Sequence, residues 1–302
     1  MMIARIKRWV AGYDAWCQRM GLGEDNRRSC VPIKRSENTP PHKRLSMIDT
    51  HCHFDFSPFR DAPERYWQAA RESGVMRMVV PGVSESNWSA VLSLTERLQG
   101  VYAGLGLHPC FLDVHTDTSL DKLDQALAAR PARCVAVGEA GLDFFVANQD
   151  AAQQRQQALL EGQLWLARHY DLPIILHSRK AHNQLLRTVK AYPGVRGVLH
   201  AFSGSEQQGK QFIDAGLMLG VGGTVTYSRA QKTRRAIAQL PLEHLVLETD
   251  APDMPLAGFQ GKPNTPSQVS RVADVVAALK SCDRDHLVAE TSDNAERLFG
   301  FD

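Results

Sequence analysis

The chain has 302 residues, 43% of them hydrophobic and 23% charged, with 35 lysines and arginines against 33 aspartates and glutamates. That balance belongs to an ordinary soluble globular protein and excludes a chain disordered throughout, a collagen and a disulfide-dense miniprotein. The longest apolar runs fall far short of the roughly 18 residues of a membrane helix, so no membrane partner is expected.

Residues 1 to 46 come first, with ten basic residues against four acidic ones, net +6, which leaves 25 against 29, net −4, for the rest. Pro32, Pro40 and Pro41 stand among polar residues there, and the stretch reads as a basic extension ahead of one domain, residues 47 to 302. Three readings are open for it: a disordered tail, a translation start set upstream of Met47, or an amphipathic targeting or interaction helix carrying Trp9, Tyr13 and Trp16. The six cysteines, Cys17, Cys30, Cys52, Cys110, Cys134 and Cys282, form no C-x-x-C pair. They fit a reducing cytoplasm, not a secreted disulfide framework.

From Met47 onward, eight short apolar runs predict strands: Met47–Asp49, Met76–Val80, Val101–Leu105, Cys134–Val137, Ile174–Leu176, Gly197–Leu199, Met218–Val221 and Leu245–Leu247. Stretches of helical period lie between them, near 61–73, 85–98, 119–129, 150–170, 179–191, 205–215 and 229–239, with two more at 266–280 and 284–299. Strand and helix alternating at about 30 residues per unit is the pattern of parallel βα units. Eight such units predict an α/β fold of the (β/α)8 TIM-barrel type, which uses about 250 residues as one domain.

Barrel active sites are built at the C-terminal ends of the strands. The strands here run into DTHCHFD, PGVSES, GLHP, GEAGLD, HSR, HAFSG, GGT and ETDAP, so five of the eleven histidines, His51, His53, His108, His177 and His200, occupy that end, together with Glu139 and Asp250. His51 and His53 are two residues apart on a strand and share a face, which points both into the mouth and turns Cys52 toward the helices as a packing residue. Imidazole and carboxylate suit zinc, magnesium, manganese, nickel or iron, and a carboxylate can bridge two ions. Two divalent cations are therefore expected, one on His51, His53, Glu139 and Asp250, the other on Glu139, His177 and His200. A cation lowers the pKa of bound water from 15.7 to about 7, and Asp250 at the edge could take the proton. The competing reading is a single closed site that only staples the barrel, but six ligands exceed the four of a structural tetrahedral site.

These motifs resemble the TatD-type metal-dependent hydrolases and deoxyribonucleases. DTHCHFD, GLHP, GEAGLDFF, LHSR, HAFSGS and LETDAP stand in family order from Met47 onward, and GVGGTVTYSRAQKTR with DAPDMPLAGFQGKPN is similar to the YjjV-like branch. The resemblance implies a divalent-metal barrel with ligands at His51, His53, Glu139, His177, His200 and Asp250. The bridge would be Glu139 itself, with no carboxylated lysine. The residues before Met47 have no counterpart in the pattern.

Four residues are candidate substrate contacts. His108 sits at the mouth without being needed for either ion, and Arg179 could neutralise a phosphate or be a solvated first-turn arginine. Ser203 and Ser205 precede a helix whose start could hold an anion, although Ser205 also reads as a plain N-cap. The expected function is a metal-dependent phosphodiesterase, a 3'-5' exonuclease-like deoxyribonuclease acting on DNA ends. Because residues 47 to 302 are net acidic, a small phosphoester, or an amide or ester substrate unrelated to nucleic acid, is the alternative. Asn294 has no assigned role.

Overall fold

The computed structural model describes residues 46–301, so the expectation for the leader lies outside the described residues apart from Ser46. Eight strands pair in parallel and in chain order: β1 (Met47–Asp49), β2 (Val75–Pro81), β3 (Val101–Leu105), β4 (Cys134–Asp143), β5 (Ile174–Arg179), β6 (Gly197–Leu199), β7 (Leu217–Val221) and β8 (Leu245–Leu247). Backbone bonds from Thr50 N to Leu247 O (3.0 Å), Asp250 N to His51 O (2.9 Å) and His53 N to Ala251 O (2.8 Å) join the continuation of β1 to that of β8. The sheet is thereby closed without a free edge. The helices among the described residues are α1 (Pro63–Glu72), α2 (Glu85–Arg97), α3 (Ser119–Ala128), α4 (Asp150–His169), α5 (His182–Lys190), α6 (Glu206–Asp214), α7 (Gln231–Gln239), α8 (Val269–Lys280) and α9 (Arg284–Phe299). The (β/α)8 barrel read from the repeat is the observed fold, and none of these helices is long and apolar enough to cross a membrane.

Strand alternation divides the apolar residues into two layers. Ile48, Val79, Ile175, Val198, Met218 and Val246 fill the barrel, with Leu298 and Phe299 of α9 packed on them. Their neighbours Met47, Met78, Val80, Ile174, Leu176, Leu199, Leu245 and Leu247 face outward into the larger sheet–helix core. Each fully buried aliphatic side chain contributes roughly 1.5–3 kcal/mol.

Strands β2 and β7 exceed the expected runs by one or two residues, and β4 and β5 by more, with extensions that serve the mouth. Leu142 and Asp143 of β4 pair with Ser178 and Arg179 of β5 past the expected ends at Val137 and Leu176. GEAGLD carries two glycines and two acids, so an apolar-run criterion stops too early there. Between Val137 and Ala140 the register slips, three steps of β4 facing two of β5, and such a bulge re-aims a side chain, here Glu139. Gly138 at that slip has φ +136°, and a Cβ on it would stand 2.8 Å from the Ile175 carbonyl, so no larger residue fits. Helix α5 starts at His182, not at 179, because Arg179 is still paired and Lys180 turns the chain with φ 56°.

Candidate metal centre at the barrel mouth

Four side-chain atoms meet where β1 and β8 run out. His51 Nε2 and His53 Nε2 are 3.3 Å apart, each lies 3.3 Å from Glu139 Oε2, and Asp250 Oδ1 is 3.5 Å from the first and 3.6 Å from the second. Atoms bound at 2.0–2.1 Å around a tetrahedral cation stand about 3.3–3.4 Å from one another. The separations among His51, His53 and Glu139 therefore suit one small divalent cation, with Asp250 beside the two histidines. Glu139 Oε2 and Asp250 Oδ1 are buried without a hydrogen-bond donor, which is costly for carboxylate oxygens unless a cation faces them.

The other oxygen of the same carboxylate faces a second set. Glu139 Oε1 is 3.2 Å from His177 Nδ1 and 3.0 Å from His200 Nε2, and these two nitrogens are 3.2 Å apart. Glu139 thus divides its oxygens between two pairs of histidines. All six residues expected as ligands converge, each buried except half-buried His177.

The surroundings fix charges and tautomers. His108 Nδ1 accepts from the Cys110 backbone N–H (3.0 Å), so the ring proton sits on Nε2 and is donated to Glu139 Oε1 at 2.9 Å. Burial outweighs the neighbouring carboxylate and holds His108 down at about 4, neutral at pH 7. Burial alone would raise Glu139, but the surrounding histidines, His108, His200 and His51, hold it well below the usual carboxylate range. His53 moves the other way: burial would lower it, yet the carboxylate of Glu139 at 3.3 Å, with Asp250, lifts it to about 9. His200 is raised well above an ordinary histidine against the same burial penalty, chiefly by Glu139. Asp250 is pushed up to about 6 by burial, only partly offset by His200 and His53.

Several supporting residues escaped the sequence reading. Asp143 Oδ2 lies 3.2 Å from His177 Nε2 and accepts from Cys110 Sγ at 3.2 Å. Glu248 Oε1 accepts from Ala201 N (2.6 Å) and is 3.8 Å from His200 Nδ1. Gln156 and Gln163, buried on α4, bond the backbone of Asp143, Pro109 and Leu107 and so hold the ends of β4 and β3. The available signal was spacing: Asp143 stands four residues past Glu139 and Glu248 two before Asp250, offsets that share a strand face.

The candidate substrate contacts spread out. His108 is inside the centre, while Arg179 ends β5 with its guanidinium 3.8 Å over the Phe145 ring, not on the first turn of a helix. Ser203 is exposed in the loop after β6. Ser205 Oγ accepts from Gln208 N (3.2 Å) in a capping box, which engages that hydroxyl in the start of α6. Cys52 is fully buried in the sheet–helix core, as its position between His51 and His53 required.

Known proteins match the chain in two parts. Residues 48–300 match the model of the TatD related DNase family, and residues 1–41 match a family of unknown function (DUF5363). The uncharacterized metal-dependent hydrolase YjjV of Escherichia coli K12 is 51% identical over 254 residues, 84% of this chain and 97% of that protein. A 3'-5' ssDNA/RNA exonuclease TatD of Erwinia amylovora is 30% identical, over 84% of this chain and all of that protein. The crystal structure of the Escherichia coli YjjV protein superposes with a TM-score of 0.82 at 50% identity, covering 86% of this chain and all of that one. By family model, by relatives and by fold, the chain belongs to the TatD related DNase family of metal-dependent hydrolases.

Proposed function

We propose that the chain is a phosphodiesterase that removes nucleotides from the ends of single-stranded DNA in the 3'-5' direction, using two divalent cations held by His51, His53, Glu139, His177, His200 and Asp250. The observation that carries this reading is the division of Glu139, one oxygen 3.3 Å from His53 and the other 3.2 Å from His177. Bound cations of the zinc, magnesium, manganese or nickel type supply an acidified water and a clamp on the attacking and leaving oxygens of a phosphoryl group. The chain does the rest. His108 Nε2 donates to Glu139 Oε1 and fixes the plane of the bridging carboxylate. Asp143, facing Nε2 of His177, leaves Nδ1 of that ring directed at Glu139. With Oδ1 of Asp250 facing the first cation, the other oxygen of that carboxylate would take the proton of the attacking water and return it to the leaving oxygen. A relative named as a single-stranded DNA and RNA exonuclease supports nucleic acid as the substrate class.

The test is release of nucleotides from a single-stranded oligonucleotide, with and without EDTA, by wild type and Glu139→Ala. Both chelation and the substitution abolish release; unchanged hydrolysis in the variant refutes the reading. The net −4 of residues 47 to 302 favours a second reading, hydrolysis of a small ester, amide or cyclic phosphoester. A substrate panel in which such a compound turns over far faster than oligonucleotide would establish it.

A further inference from the structure

Beside the mouth lies an open groove of about 520 Å³ whose lining includes Phe144, Gln153, Lys180, His182, Gln184 and Arg187. Its lining begins one residue beyond Asp143 and three beyond His177, two residues in contact at 3.2 Å, so one wall of the groove adjoins the centre along the chain. Its size falls within the roughly 300–1,000 Å³ of ligand pockets.

The groove presents cations without counter-charges. Lys180 Nζ stands 4.9 Å from the centroid of the Phe145 ring, and neither it nor Arg187 pairs with a carboxylate among the described residues. The Arg187 guanidinium is held by a neutral acceptor, Gln184 Oε1. Gln184 in turn donates to Gln157 Oε1 (3.1 Å), and Gln157 to Thr188 Oγ1 and Glu161 Oε1 (2.7 Å each), so the carboxylate in this network stands two amides away from the guanidinium. The amides thus position the Arg187 charge without a direct ion pair. Half-buried Phe144 adds an aromatic surface to the same wall. Aromatic platforms alternating with backbone-tracking cations are how single strands are bound without sequence preference.

We infer that this groove is the subsite for the nucleotide adjoining the bond that is cut, with the base against Phe144 and its phosphate between Lys180 and Arg187. The inference rests on the nuclease reading above and assigns its single-stranded substrate a place on the chain. It also reconciles a net acidic domain with a polyanionic ligand, since binding needs two local cations and no basic stripe.

The test is fluorescence anisotropy of a labelled single-stranded hexadeoxynucleotide at several salt concentrations, with wild type and Lys180→Ala/Arg187→Ala. Both side chains are exposed, so the double variant folds. The expected result is binding about tenfold weaker or more, with a salt slope smaller by about 1.4, two phosphate contacts at about 0.7 each. Lys180→Arg/Arg187→Lys restores the slope, and Phe144→Ala weakens binding at an unchanged slope. Unaltered affinity and slope in the double variant, or no binding by wild type, overturns the inference. Turnover of the same oligonucleotide separates the two claims. Cleavage whose KM is indifferent to the double variant keeps the nuclease and removes the subsite. Groove-dependent binding without cleavage keeps the subsite and removes the nuclease.

Discussion

Glu139 Oε1 accepts a hydrogen bond from His108 Nε2 at 2.9 Å, and the Cys110 amide bonded to Nδ1 of the same ring leaves His108 no other tautomer for that role. This buried carboxylate of the mouth is therefore oriented by a neutral donor that is not itself among the six candidate ligands. His108→Phe keeps the ring volume and removes the donor. Partners that orient a metal ligand are worth about 10–100-fold in metal affinity or activity. A loss in that range is expected, with metal titration showing weaker loading. Full activity in His108→Phe would mean that Glu139 needs no such support.

Protons occupy the centre where cations would act. His53, raised to about 9, and His200, raised well above an ordinary histidine, are protonated at pH 7 in the metal-free protein. A ligand nitrogen must be unprotonated, so binding a divalent cation expels these protons. Affinity should accordingly rise with pH toward about 9 and fall as pH drops. Titration calorimetry in two buffers of different ionisation enthalpy counts the protons released. At least one per protein is expected at pH 7, and none would contradict the charge state described for His53 and His200.

Chelation should also cost stability. Any ligand that binds only the folded state stabilises by about 2.7 kcal/mol at a hundredfold excess over Kd. For a domain of this size each kcal/mol moves Tm by about 2–4 °C. Removing a bound cation with EDTA should then lower Tm by about 5–11 °C, and re-addition of metal should restore it. An unchanged Tm would show that the buried oxygens of Glu139 and Asp250 need no cation to hold the fold.

The barrel and its six converging residues were legible because both signals are local. An apolar run of three to five residues marks a strand, and the polar residues just past its end mark the mouth. Glu139 could be placed at the site by chain order alone, even though the bulge that aims it was invisible in the sequence. Asp143 was not legible, because GEAGLD reads as a turn until the pairing of Asp143 with Arg179 shows it to be strand. Gln156 and Gln163 read as surface polar residues of an amphipathic helix. Their burial depends on the backbone groups at Leu107, Pro109 and Asp143 that need partners, and sequence periodicity does not carry that information. Asn294 belongs to the same class: its amide donates to the carbonyls of Leu242 and Leu245, closing the approach to β8.

Asp49 provides a test of folding alone. Its Oδ2 accepts from Thr249 Oγ1 (2.6 Å) and its Oδ1 from the amides of Thr249 (3.0 Å) and His51 (3.3 Å), tying β1 to the end of β8. Burial outweighs these bonds and raises the carboxyl to about 8, from an ordinary value of 3.8 in the unfolded chain. Between those two values the folded protein keeps a proton that the unfolded protein has lost. Stability contributed at this position therefore falls as pH rises through the window and is level above about 8. Asp49→Asn keeps the Oδ1 acceptor but cannot ionise, so its stability relative to wild type should improve steadily from pH 5 to pH 8. Urea midpoints of the two proteins at pH 5, 6.5 and 8 measure the difference. A constant difference across that range would mean that Asp49 folds as a carboxylate.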